Sequence, residues 1–288
     1  MSDRTLKVAL VQMRAGREIA SNVAAAVRMV RQAASEGAVY VQTPENTTAM
    51  DEDKARLIAN TPGEERSSAL ATFRDLAREL SIWLHIGSMD VALPSGKLAN
   101  RAFVISPKGA VMARYDKIHL FDVDLGSGER FHESRTVLAG GEAVIAELPA
   151  GKIGLTICYD LRFPQLYRKL AQAGAGVLTV PSAFTRQTGE LHWHTLLRAR
   201  AIENSAYVLA AAQGGKHENG RETYGHSLII APGGEVIAEA GIEPAILTAQ
   251  IDLAKVTAFR EAIPSLKHDR AFTGPASGSG LARNKAEE

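Results

Sequence analysis

A mixed α/β fold, with mixed sheets covered by helices, is what this 288-residue sequence predicts, and three observations predict it. Apolar runs of strand length alternate with stretches of helical period, the pattern of β-α-β crossings. Two other stretches fold back on themselves as hairpins, which only antiparallel strands can do. No Pro/Gly/Ser-rich linker interrupts the chain before residue 274, so residues 1–273 are expected to form one domain.

The elements follow in order. Residues 6–13 read as a buried strand, and Asn22 is expected to cap a helix with Val23, Val27 and Val30 on one face. That helix stops at Gly37, before a strand over 38–42. Leu70, Phe73, Leu76, Ala77 and Leu80 recur at helical spacing ahead of a strand over 82–86. Residues 101–106 and 110–115, joined by Pro107-Lys108-Gly109, make the first hairpin. A β-branched strand over 152–157 leads into a helix over 164–174, with Pro near its first turn and Gly at its end. A strand over 177–181, a helix over 191–204 and a strand over 207–212 come next, and a second hairpin turns at Pro232-Gly233-Gly234. The stretch 274–288 is Gly- and Ser-rich, then polar, and is expected to be disordered or extended.

Composition narrows the function classes. A formal net charge of +1, with 45% hydrophobic and 23% charged residues, gives no reason to expect nucleic acid or an anionic membrane as partner. Small-molecule chemistry is the better expectation. The single cysteine excludes an intrachain disulfide, and Met1-Ser2-Asp3-Arg4-Thr5 lacks the order of a secretory leader. No apolar stretch approaches the length of a membrane span. A reducing, cytoplasmic setting is therefore expected.

Cys158 ends the apolar run Gly154-Leu155-Thr156-Ile157, where a strand gives way to a helix. Helix N-terminal amides would favour its thiolate and make it a nucleophile; the plainer reading is a small hydrophobe in a core. Glu45, in Pro44-Glu45-Asn46, stands where a strand leaves the sheet, the usual address of site residues in open α/β sheets. Lys117, in Lys117-Ile118-His119-Leu120-Phe121, also leaves a strand, and Glu133 lies in Phe131-His132-Glu133-Ser134. Each alone is read more simply as a solvated surface residue. His192 and His194 point roughly 200° apart on a helix and would not share a metal easily, so no metal is expected. A cysteine–histidine hydrolase using His192, His194 or His226 is the alternative base arrangement.

Taken together and in order, these motifs resemble the nitrilase superfamily of carbon–nitrogen hydrolases. The resemblance runs from about Leu6 to Phe272 and includes Cys158-Tyr159-Asp160-Leu161-Arg162-Phe163-Pro164. Pro181-Ser182-Ala183-Phe184, His192-Trp193, Leu196 to Glu203 and Tyr224-Gly225-His226-Ser227 are similar to the branch of deaminated-glutathione amidases and omega-amidases. The resemblance implies an α-β-β-α sandwich, a homodimer or higher homo-oligomer, and a Glu-Lys-Cys triad that needs no cofactor.

Carried onto this sequence, Cys158 would attack the carbonyl of a primary amide, and Glu45 would serve as general base if its surroundings raise its proton affinity. Lys117 would face the developing oxyanion, with the backbone amide of Tyr159 as second donor, and Glu133 would hold Lys117 and orient substrate. The thioester would then be cleaved by water. Arg162 could grip a substrate carboxylate or pair with an acidic neighbour. Phe184, Thr185 and Arg186 would line the same opening, and Asn46-Thr47-Thr48 would touch its wall. The expected substrate is a small amide bearing a carboxylate, deaminated glutathione or another omega-amide, with release of ammonia. An N-carbamoyl, formamide or nitrile hydrolase using the same triad is the alternative enzyme. A redox-sensing thiol is the alternative of another class, and the lack of a second, resolving cysteine counts against it.

Overall fold

The computed structural model describes residues 4–126 and 129–275. The chain begins with β1 (Thr5–Gln12), crosses through α1 (Ile19–Ser35) to β2 (Tyr40–Gln42), and passes α2 (Lys54–Asn60) and α3 (Ser68–Leu80) before β3 (Trp83–Ala92). These three strands run parallel, and β4 (Leu98–Ile105) and β5 (Val111–Asp116) continue the sheet as the expected hairpin. A small hairpin, β6 (Asp122–Asp124) and β7 (Arg130–His132), precedes the second sheet.

That sheet opens with β8 (Val144–Leu148), antiparallel to β9 (Gly151–Leu155). Helix α4 (Pro164–Gln172) crosses to β10 (Val177–Thr179), and α5 (Arg186–Asn204) crosses to β11 (Tyr207–Ala210), keeping β9, β10 and β11 parallel. A separate hairpin of β12 (Gly214–Lys216) and β13 (Glu222–Tyr224) follows, and then β14 (Leu228–Ile230) and β15 (Val236–Glu239) rejoin the sheet antiparallel. Finally β16 (Ala245–Asp252) returns to pair along all of β1, and α6 (Leu253–Ala262) follows it. The strand orders are β16-β1-β2-β3-β4-β5 and β15-β14-β11-β10-β9-β8.

Side-chain alternation along the strands stacks the layers. Ala9 and Val11 of β1 pack with Ala26 and Val30 of α1 and with Phe73 and Leu76 of α3. Their neighbours Val8 and Leu10, on the opposite face, join Leu155, Val177 and Val208 of the second sheet. Leu166, Tyr167 and Leu170 of α4 and Trp193 and Leu197 of α5 belong to that second core. The result is the α-β-β-α sandwich that the resemblance implies.

Three local expectations change. Asn22 caps nothing: α1 already starts at Ile19, and the buried Asn22 side chain instead donates to the carbonyls of Gly16 and Thr48, each at 2.9 Å. A tertiary role took the residue that local propensity assigned to a helix start. Helix α5 begins at Arg186, five residues earlier than its apolar pattern, because Thr185 caps it by accepting from the Thr188 N–H at 3.3 Å. The strand before Cys158 ends at Leu155 rather than residue 157. Of the expected tail, Gly274 and Pro275 have no regular structure, and residues 276–288 lie outside the described residues.

One glycine governs the gap between the sheets. Gly87 lies in a bulge of β3, and a Cβ there would stand 2.0 Å from the Thr43 carbonyl oxygen and 2.3 Å from the Pro181 Cβ. Only glycine permits that approach.

Candidate active site

Glu45, Lys117 and Cys158 all leave the ends of strands and converge on one cavity of about 540 Å³, and Glu133 joins them from the turn after β7. The turn that carries Glu45 is held rigidly. Thr43 and Thr47 share a hydrogen bond between their hydroxyls at 2.7 Å, Thr47 also bonds the Pro44 carbonyl at 2.7 Å, and Gln213 donates to the Glu45 carbonyl at 3.0 Å. Of Asn46, Thr47 and Thr48, only Asn46 reaches the cavity wall. Thr47 braces the turn from behind, and the Thr48 carbonyl accepts from Asn22.

A buried ion network fills the floor. Lys117 Nζ lies 2.8 Å from Glu45 Oε1 and 2.9 Å from Glu133 Oε2. Asn100, in mid-strand on β4, donates to both carboxylates, at 3.0 Å to Glu45 and 3.1 Å to Glu133. The Ala183 N–H donates to Glu45 Oε2 at 2.8 Å, and the Phe121 N–H to Glu133 Oε2 at 2.7 Å. Burial alone would raise Glu45, but the charge and hydrogen bond of Lys117 outweigh it and hold the carboxyl below its ordinary 4.5. Burial would likewise lower Lys117, yet Glu133 and Glu45 keep it well above 10.5. The floor is therefore ionised. The Asp90 carboxyl, opposite Asn100 in the β3–β4 register, has no hydrogen-bond partner among the described residues and is pushed up to about 7, chiefly by burial.

Cys158 sits at the start of a 3-10 turn with φ +51, a left-handed backbone that costs a non-glycine residue about 1–3 kcal/mol. Its N–H is fixed to the Pro181 carbonyl at 2.9 Å. Asp160 holds the turn from beneath, accepting from the Ile157 N–H at 2.8 Å and the Tyr115 hydroxyl at 2.7 Å through one oxygen. Its other oxygen accepts from the His119 N–H at 3.0 Å and contacts His119 Nδ1 at 2.7 Å. This fully buried carboxylate ties the Cys158 turn to the segment carrying Lys117.

The thiolate expectation fails. Burial, then the facing charge of Glu45, push the Cys158 thiol far above its ordinary value, and Lys117 offsets only part of that. Local amides at a short turn do not outweigh a buried carboxylate beside the sulfur. The resting pair is thus a neutral thiol against an ionised acceptor, which is the arrangement general-base activation requires. The expected rise in the proton affinity of Glu45 is not found either, because Lys117 lowers it.

Tyr159, second in the turn, has an N–H with no acceptor among the described residues, so it is free to donate into the cavity. Its ring packs edge-on against Phe121 at 5.2 Å, and Phe184 and Thr185 line the wall as expected. Arg162 does not line it. The Arg162 guanidinium contacts His192 Nδ1 at 3.2 Å and lies 5.8 Å and 5.7 Å from the Tyr159 and Phe184 ring centres, and it has no acidic partner among the described residues. Arg186 is exposed and pairs with Glu190 and Glu222. None of His192, His194 and His226 lines the cavity: His194 and His226 both contact Glu239 at 2.9 Å, remote from the sulfur. The cysteine–histidine alternative therefore has no base among the imidazoles it named.

Asn100, Asp90, Asp160 and Arg221 were missed in the sequence. Asn100 did leave a trace, as a polar residue inside the apolar strand Leu98–Ile105. No helix among the described residues is long and apolar enough to cross a membrane.

Comparisons with known proteins identify the family of the chain. A deaminated glutathione amidase of Synechocystis sp. is 39% identical over 269 residues, spanning 90% of this chain and 96% of that protein. The structure of the Caenorhabditis elegans NitFhit protein superposes with a TM-score of 0.86 at 37% identity, covering 94% of this chain and 66% of that one. A glutamate-to-glutamine mutant of the amidase from Nesterenkonia sp. AN1 superposes with a TM-score of 0.75 at 25% identity, covering 89% and 94% of the two chains. That mutant carries the acetamide moiety of fluoroacetamide on its active-site cysteine. With the carbon-nitrogen hydrolase profile matching residues 7–261, from the first strand through the last helix, the chain belongs to the carbon-nitrogen hydrolase family.

Proposed function

We propose that this protein is an amidase that cleaves a carbon–nitrogen bond through an acyl thioester on Cys158. The observation that carries this reading is the convergence of the buried Cys158 thiol and the buried Glu45 carboxylate on one cavity, with Lys117 bridging from that carboxylate to Glu133. Glu45 takes the thiol proton as the sulfur attacks the carbonyl carbon, and the carbonyl electrons move onto oxygen. Lys117 Nζ and the Tyr159 N–H stabilise that oxyanion, each such donor being worth on the order of a hundredfold or more in turnover. As the C–N bond breaks, Glu45 passes its proton to the departing nitrogen. Water then adds to the thioester with Glu45 as base, the C–S bond breaks, and the acid leaves with the thiol restored.

The Synechocystis relative supports deaminated glutathione, or an omega-amide like it, as substrate. Deaminated glutathione holds two secondary amides and no primary one. On it an amine leaves, whereas ammonia is the product only from primary omega-amides. Exposed Leu191 and Ile202 on α5 support the expectation of a homodimer or higher homo-oligomer; light scattering should give twice the chain mass or a larger multiple, and a monomer mass removes it.

Intact-protein mass spectrometry tests the chemistry. Wild-type protein quenched rapidly during turnover of deaminated glutathione should carry an acyl adduct on Cys158, and Cys158→Ala should lose turnover by roughly a hundred-thousandfold. Hydrolysis by Cys158→Ala at the wild-type rate, or activity confined to nitriles, would sink the proposal.

A further inference from the structure

We propose that Arg221 is the anion-recognising residue of this cavity, its guanidinium taking a carboxylate of the substrate. The inference rests on the amidase reading above and names a residue that no sequence motif had marked.

Arg221 lies in the turn between β12 and β13, and that turn is firmly held. The His217 N–H donates to the Arg221 carbonyl at 2.8 Å, and the Arg221 N–H donates to Asn219 Oδ1 at 2.9 Å. The His217 ring is anchored in turn by the Ala15 carbonyl at 2.8 Å and the Thr223 hydroxyl at 2.6 Å. The guanidinium sits 5.3 Å from the Phe131 ring centre, within reach of a cation–π contact that helps to place it.

Its charge is unanswered. Of the other cations lining the cavity, Lys117 is bound to Glu45 and Glu133, Arg130 pairs with Asp124 at 2.8 Å, and Lys54 is exposed. Arg221 pairs with no carboxylate among the described residues. Its Nη2 donates to the Ala183 carbonyl, and among the described residues its buried Nε has no partner and its Nη1 has no acceptor. A partly buried guanidinium left in this state is costly unless an anion completes it, and the cavity is where an anion would enter.

The placement also suits catalysis. Ala183 accepts from Arg221 through its carbonyl and donates from its N–H to Glu45, so one residue joins the anion reader to the base. Arg221 also helps to hold Glu45 ionised. Arg162, the residue first expected to grip a carboxylate, is turned to His192 instead.

Glutarate, a simple dicarboxylate, is the binding probe, titrated calorimetrically into Cys158→Ala so that no turnover intervenes. Adding Arg221→Met should weaken glutarate on the order of 10- to 100-fold, with Arg221→Lys in between because it keeps the charge and loses the fork. Equal affinity in all three proteins, or no glutarate binding to Cys158→Ala, overturns the assignment. With Cys158 present, Arg221→Met should lower the kcat/KM ratio of glutaramate to pentanamide by a similar factor. An equal fall for both amides, leaving the ratio fixed, would mean that Arg221 only positions Ala183 and would also overturn it. If glutarate affinity follows Arg221 while Cys158→Ala still hydrolyses amides, the anion site stands and the cysteine mechanism falls.

Discussion

The two sheets follow one strand plan, three parallel strands with an antiparallel hairpin on one flank and a single antiparallel strand on the other. They bring different chemistry to the cavity. The first supplies two charges and a neutral donor: Glu45 beyond β2, Lys117 beyond β5 and the Asn100 amide within β4. The second supplies the Cys158 thiol beyond β9 and the Ala183 N–H beyond β10. Strand ends set where a side chain stands, whereas its protonation follows from what the facing sheet places against it. Lys117 holds the base below its ordinary value, while burial first and the same carboxylate second push the nucleophile's thiol up.

Glu45→Gln breaks that contrast at its centre. Turnover should fall on the order of 10²- to 10⁴-fold, while the thiol becomes more acidic because the carboxylate that raises it is gone and Lys117 remains. Ultraviolet thiolate absorbance followed against pH checks this. An onset at or above the wild-type pH would show that the first sheet does not set the charge of the second.

Lys117→Met attacks the charged side alone and should cost about 3–5 kcal/mol of stability, since it strands buried carboxylates without their cation. The sign with pH is definite. Lowered Glu45 contributes stability that is present above 4.5 and lost as pH falls through its depressed value; raised Lys117 contributes below 10.5 and loses it above its elevated value. The destabilisation should thus be largest between those limits and shrink on acidification. Denaturant midpoints across that range read it directly, and a pH-independent difference would contradict the assignment.

Asp90→Asn should have the smallest effect. A carboxyl raised to about 7 contributes stability fully present below its unfolded value near 3.8 and lost as pH rises to 7. The variant should therefore melt higher than wild type at pH above about 7, with the gap closing towards pH about 4. A gap that widens on acidification would place the charge of Asp90 elsewhere.

What the sequence disclosed follows the same division. Glu45, Lys117 and Cys158 were legible because each interrupts or follows an apolar run and belongs to an ordered set of motifs. Their charge states were not, since these depend on groups 16 to 138 positions apart that meet only once the sheets and the turn after β7 have folded together. Asn100 was hidden in an ordinary strand, and Asp160 stood inside a quoted motif without a visible partner until Tyr115 and His119 folded onto it. Arg221 was passed over for Arg162 because proximity in sequence to the thiol stood in for proximity in space. Asn22 shows the reverse error, a good local cap claimed by a distant carbonyl. The sandwich itself survived such local errors because strand alternation is repeated over many residues.

Gly87 sets the tolerance to which the catalytic pair is machined. Its missing methyl lets β3 nest between Thr43, two residues before Glu45, and Pro181, whose carbonyl holds the Cys158 N–H. Acid–base reach between the halves is therefore gauged by a spacer one hydrogen atom thick. Altering that single shim would retune the distance between base and sulfur while leaving every reacting group chemically intact.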